Sequence, residues 1–73
     1  MEITIKIPPS DVEQIAAFLD ANKDNVEHTT HGALTLERLI LMLLQDLALT
    51  RTRPGSWEGS GMRTILASHG YHQ

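Results

Sequence analysis

Residues 34–49 read L-T-L-E-R-L-I-L-M-L-L-Q-D-L-A-L, the densest apolar stretch of the chain. Within it Leu36, Leu39, Ile40, Leu43, Leu44 and Leu47 recur at i, i+3, i+4 and i+7, the stripe of a helix that faces a core. Glu37, Arg38, Gln45 and Asp46 take the other side, yet Leu41 and Met42 fall among them. A helix packed on a single neighbour needs one stripe. Apolar residues outside it ask for a second covering surface, which a short chain supplies poorly by itself. The pattern therefore predicts a homodimer with this helix at its heart.

Upstream the period changes. Ile3, Ile5 and Ile7 alternate with Glu2, Thr4 and Lys6, and β-branched residues at period two predict a strand. Pro8 and Pro9 end it, because neither offers an N–H to a ladder. No second alternating run of this quality exists to pair with it, so the expected partner is the same strand of another copy. Ser10 and Glu13 have the spacing of a capping box and predict a helix to about Ala21, with Val12, Ile15, Ala16 and Leu19 inward and Phe18 at the edge. A turn over Asn22–Asn25 and a polar connection follow, and Thr35 is placed to cap the long helix, which is expected to end near Leu49. Leu34 and Leu39 have the spacing of a hydrophobic staple.

Pro54 to Gly61 reads as a linker by composition. A last short helix is predicted from Ser60 or Gly61, with Met62, Ile65 and Leu66 on one side and Gly70 as its stop. The segment is too short to hold alone, so it either docks on the body or stays disordered until a partner arrives. The expected organisation is a strand-helix-helix dimerisation domain over 1–49 and a basic linker with a short helix or disordered tail over 50–73.

Length sharpens the case for assembly. With 73 residues the chain is one small domain, and chains this short bury only about 60% of their unfolded surface. It contains no cysteine, which excludes disulfides and cysteine-based zinc sites and fits a reducing compartment. Met1–Ile7 lacks the basic-then-apolar order of a leader peptide. The long helix would span about 24 Å and carries Glu37, Arg38 and Asp46, so no membrane span is expected; the chain reads as soluble and cytoplasmic.

The net charge of −3 conceals an asymmetry. Residues 1–49 hold Glu2, Asp11, Glu13, Asp20, Asp24, Glu27, Glu37 and Asp46 against Lys6, Lys23 and Arg38. Residues 50–73 hold Glu58 against Arg51, Arg53 and Arg63. An acidic body is unfavourable for binding nucleic acid through its phosphates.

An alternating strand, a prolyl break, a capped amphipathic helix and a second, strongly apolar helix together resemble the ribbon-helix-helix DNA-binding family over residues 1–49. The resemblance implies a mainly α fold with one N-terminal strand paired across an intertwined homodimer. The dimer core would then be Ile3, Ile5, Ile7, Leu36, Leu39, Ile40, Leu43, Leu44 and Leu47. Glu2, Thr4 and Lys6 would face duplex DNA, and the N–H groups of Thr35 and Leu36 would hold a phosphate at a helix N-terminus. On this reading the protein is a homodimeric transcriptional regulator.

Other chemistry is sparse. His28 and His31, and His69 and His72, form two H-x-x-H pairs, but both lie in polar segments without a thiol or acidic ligand in a known pattern, so no metal is expected. Asp11 and Glu13 have a capping explanation. No nucleophile elbow or phosphate-cradling glycine loop is present, and neither an enzyme nor a cofactor is expected. Trp57 with Arg51, Arg53 and Arg63 remains: an aromatic anchor among guanidiniums is the composition of an interface hot spot, and the group resembles the toxin-binding tail of many antitoxins. The blander reading has Trp57 packing the tail on the body. The second hypothesis is therefore a non-enzymatic protein-interaction module, an antitoxin or inhibitor or an assembly adaptor, acting through the acidic body or residues 50–73.

Overall fold

A computed structural model describes residues 1–24 and 26–72. It contains helices α1 (Pro9–Ala21), α2 (Leu36–Thr52) and α3 (Trp57–Ser68), with a single 3-10 turn at Val26–His28. There is no strand among the described residues, so the expected ribbon-helix-helix architecture is corrected to an all-helical one. The physical reason is that period-two alternation favours a strand only where a neighbouring edge accepts its N–H and C=O groups. Residues 2–7 find no such edge and remain irregular, with Ile3 and Ile5 70% and 65% exposed. The chain divides into two compact units, Met1–Leu36 and Glu37–Gln73.

In the first unit α1 starts earlier than the capping box predicts. Pro8 is the N-cap and Pro9 the first helical residue, a place where a missing N–H costs nothing. The N–H groups of Asp11 and Val12 donate to the Pro8 carbonyl at 3.0 and 3.1 Å. Ser10 thus falls inside the first turn, and no side chain caps the helix. At the other end Asn22 closes it, its side-chain amide donating to the Phe18 carbonyl at 2.9 Å. Asn25, the last residue of the expected turn, lies outside the described residues. Ile15 and Leu19 are half-buried as expected of the inward face, while Val12 and Ala16 are exposed.

The second unit is a helical hairpin. Its first helix, α2, begins one residue after Thr35 and continues past Leu49 to Thr52. Two hydroxyls in the last turn bond back to the helix, Thr50 to the Leu47 carbonyl at 2.7 Å and Thr52 to the Ala48 carbonyl at 3.3 Å. Arg51 stands in that turn, where a cation complements the negative end of the dipole. The chain then reverses over Arg53–Ser56, closed by the Ser56 N–H on the Arg53 carbonyl at 3.0 Å, with Pro54 second in the turn where its fixed φ is useful.

Ser56 is what starts α3 at Trp57, three or four residues ahead of the expected start at Ser60 or Gly61. Its hydroxyl oxygen accepts from the Gly59 N–H at 3.1 Å while its hydroxyl proton goes to the Arg53 carbonyl at 2.7 Å. One side chain thereby ties the turn to the new helix. Ser56→Ala removes both bonds and should lower stability by about 1 kcal/mol. A fall in melting temperature of roughly 4–8 °C by far-UV circular dichroism would record it.

Gly59 sets how close the two helices come. A Cβ on it would lie 2.8 Å from the Leu49 carbonyl oxygen and 2.8 Å from that of Arg53. Backbone atoms at that distance cannot yield to a side chain. Gly59 is buried, and Thr50 on the facing helix is only 1% exposed; these are the two buried residues among those described. The C-terminus of α3 is a Schellman turn: Gly70 at φ 87° donates to the Ala67 carbonyl at 2.9 Å, and Tyr71 to that of Leu66 at 3.0 Å.

Candidate functional site

The periodicity that makes α2 amphipathic also determines what the hairpin presents. Ile40, Leu43, Leu44 and Leu47 project from α2, and Met62, Ile65 and Leu66 from α3, onto one shared hollow of about 370 Å³. Every lining residue is apolar. Close approach at Gly59 brings the helices together at the turn end, and the hollow opens along the rest of their length. Leu43, Leu44, Leu47 and Ile65 remain exposed, and Ile40, Met62 and Leu66 are half-buried. No apolar side chain among the described residues is fully buried.

Charges stand at the ends of the α2 stripe. Glu37, grouped with the polar side in the sequence pattern, falls on the helix beside Leu44: Glu37, Ile40, Leu44, Leu47 and Arg51 are spaced i, i+3, i+7, i+10 and i+14, which keeps both charges along the edge of the apolar stripe. Glu37 and Arg51 are both exposed. An acid therefore marks the N-terminal end of the apolar stripe and a base the C-terminal end, about 21 Å apart along the axis.

The other expected site residues are dispersed. Glu2, Thr4 and Lys6 are exposed on the irregular N-terminus, without the strand that would aim them at a groove. Of the expected dimer core, Ile3 and Ile5 are exposed and Ile7 half-buried in the first unit, whereas Leu36 and Leu39 are half-buried on α2. Thr35 directly precedes α2 and Leu36 is its first residue. Leu41, off the stripe, is exposed, and Met42 is half-buried.

Within the tail, Arg53 sits in the hairpin turn, and Trp57 opens α3 with 73% of its surface exposed, so it does not serve as the packing anchor of its helix. Arg63 borders a second hollow of about 340 Å³ with Leu66, Ala67, Tyr71 and His72. The Schellman turn at Gly70 is what folds Tyr71 and His72 back toward that side. All four histidines are exposed, and among the described residues no three potential metal ligands converge. No helix of the described residues is long and apolar enough to cross a membrane.

Two positions that shape this face were not singled out by the hydrophobic pattern of the sequence. Gly59 has the look of linker composition, and Ser56 that of one more small residue in it. The spacing of Ser56 to an N–H three residues on, just after Pro54-Gly55, was the available clue. Comparison of the chain with protein family models, curated proteins and solved structures finds no match.

Proposed function

We propose that this chain is a non-enzymatic protein-interaction module whose working surface is the apolar face between α2 and α3. The observation that carries the reading is that hollow: aliphatic and thioether side chains at seven positions, with no polar group to orient a small polar substrate. Ligand sites for small molecules combine apolar walls with a few placed polar groups. A uniformly apolar groove between two helices instead suits another helix, whose own apolar face enters it. Leaving such a face in water is unfavourable by about 25 cal/mol per Å² of apolar surface, so occupancy by protein is its low-energy condition.

The reading is tested by placing a photoreactive benzoylphenylalanine at Leu44 or Ile65, and separately at Gln45, in the full chain inside the cells that produce it. Irradiation should yield discrete protein adducts from positions 44 and 65 and little from 45. Equal labelling from all three, or no adduct from any, would end the proposal.

A further inference from the structure

We infer that the occupant of this face is a second copy of the same chain, set antiparallel across a two-fold axis near Leu44, so that Glu37 of each protomer meets the partner's Arg51. The inference rests on the reading of the α2–α3 face as the working surface and adds the identity and direction of what covers it.

Three observations carry it. First, the hollow is uncharged along its length, so two identical faces can meet without burying like charges; a two-fold interface must be complementary to itself. Second, Leu44 lies at the middle of α2, which runs from Leu36 to Thr52. Antiparallel pairing about Leu44 matches residue 37 with 51, and 40 with 48, in both directions. Third, that match sets an acid against a base at each end. Parallel pairing in the same register would instead set Glu37 against Glu37 and Arg51 against Arg51. Exposed ion pairs add little affinity, but they decide orientation by penalising the alternative. Two hairpins joined this way form a four-helix bundle, an arrangement that buries both apolar faces at once.

A charge-reversal cycle read by sedimentation equilibrium of the full chain tests the inference. The parent chain should sediment as a dimer. Glu37→Arg sets a second guanidinium against the partner's Arg51 at both ends of the interface. Arg51→Glu sets a second carboxylate against the partner's Glu37. Each should weaken association about tenfold at low salt, with the difference shrinking at about 1 M salt. The double variant should restore the parent's affinity to within about threefold.

That restoration separates pairing from a local effect. Reversal at either end of α2 also opposes the helix dipole, and those two penalties would add in the double variant instead of cancelling. Far-UV circular dichroism verifies that each variant keeps its helices.

A second measurement avoids charge altogether and exploits the absence of cysteine in the chain. Leu44→Cys should form a disulfide-linked dimer on mild oxidation, because the two-fold brings its copies together. Glu37→Cys should not, since its copies lie at opposite ends. A dimer without rescue in the double variant, or efficient disulfide formation at position 37, overturns the antiparallel arrangement. A helical chain that stays monomeric at about 100 µM overturns the second copy altogether. If a photoadduct from Leu44 then has a mass other than twice that of the chain, the interaction-module reading stands and only this inference falls.

Discussion

Gly59→Ala should unfold more of this protein than any other single-methyl change in α3. The added carbon would sit 2.8 Å from two carbonyl oxygens of the hairpin, those of Leu49 and Arg53, and 3.0 Å from the Ser56 hydroxyl oxygen that caps the helix. None of these retreats without moving either the end of α2 or the turn. Overpacking of this kind costs about 1–3 kcal/mol. That is a large share of the roughly 4–11 kcal/mol expected for a chain of this length. In thermal melts the midpoint should fall by about 4–24 °C, at roughly 4–8 °C per kcal/mol.

Gly61, two residues on in the same helix, is the internal control. A Cβ there meets nothing within 4 Å. Gly61→Ala should therefore raise stability by about 0.5–1 kcal/mol, the ordinary gain from replacing a helical glycine. Opposite signs at the two positions would identify packing, not helix propensity, as the reason for Gly59. A stabilising effect at both would mean that the helices do not approach as closely as described.

Leu44→Lys should abolish association at micromolar concentration while leaving the helices intact, whereas Leu41→Lys should leave association nearly unchanged. The comparison is informative because the two leucines are almost equally exposed in the single chain, 55% and 54%. Exposure alone predicts the same outcome for both. Only Leu44 lines the hollow. Its burial in an assembly is worth about 1.5–3 kcal/mol per copy, and a two-fold interface loses that contribution twice. Association should weaken by about 10²–10⁴-fold. Lysine is a good helix former, so the fold tolerates it at either site. Sedimentation velocity at matched concentrations distinguishes the two; equal effects would detach assembly from this face.

The helical parts of the fold were legible to differing degrees. The stripe from Leu36 to Leu47 identified α2 because its period is unambiguous and its length exceeds any strand. Leu19 and Ile15 marked the inner face of α1 for the same reason, although the prolines, not Ser10, set its start. The N-terminal isoleucines misled because alternation records what a residue would do beside another strand, and nothing in the described chain supplies one. The α3 boundary was hidden by a different conflict. Gly59, Ser60 and Gly61 carry the composition of a linker, and a glycine needed for close helix packing looks identical in sequence to one needed for flexibility.

For the candidate site, each half was visible and their relation was not. Ile40, Leu43, Leu44 and Leu47 formed one recognised stripe, and Met62, Ile65 and Leu66 another. That the two stripes share a hollow depends on a tight reversal at Pro54-Gly55 and on the missing side chain at Gly59. Neither contributes to a hydrophobic period. The charges at Glu37 and Arg51 acquired meaning only after α2 was known to extend beyond Leu49, which puts Arg51 on the helix and at the far end of the stripe.

The shortness of the Arg53–Ser56 reversal bears on the order of events during folding. Its closing bond spans three residues, and the approach of Gly59 to Leu49 spans ten. Loops of that size close in about 10–100 ns, and structures dominated by such local contacts form quickly. The hairpin is thus poised to form as a unimolecular event, whatever the concentration of chains. Covering its apolar face by another molecule is bimolecular and slows on dilution. Newly made chains would pass through a brief interval in which the hairpin exists with its face still open, and the length of that interval is set by abundance.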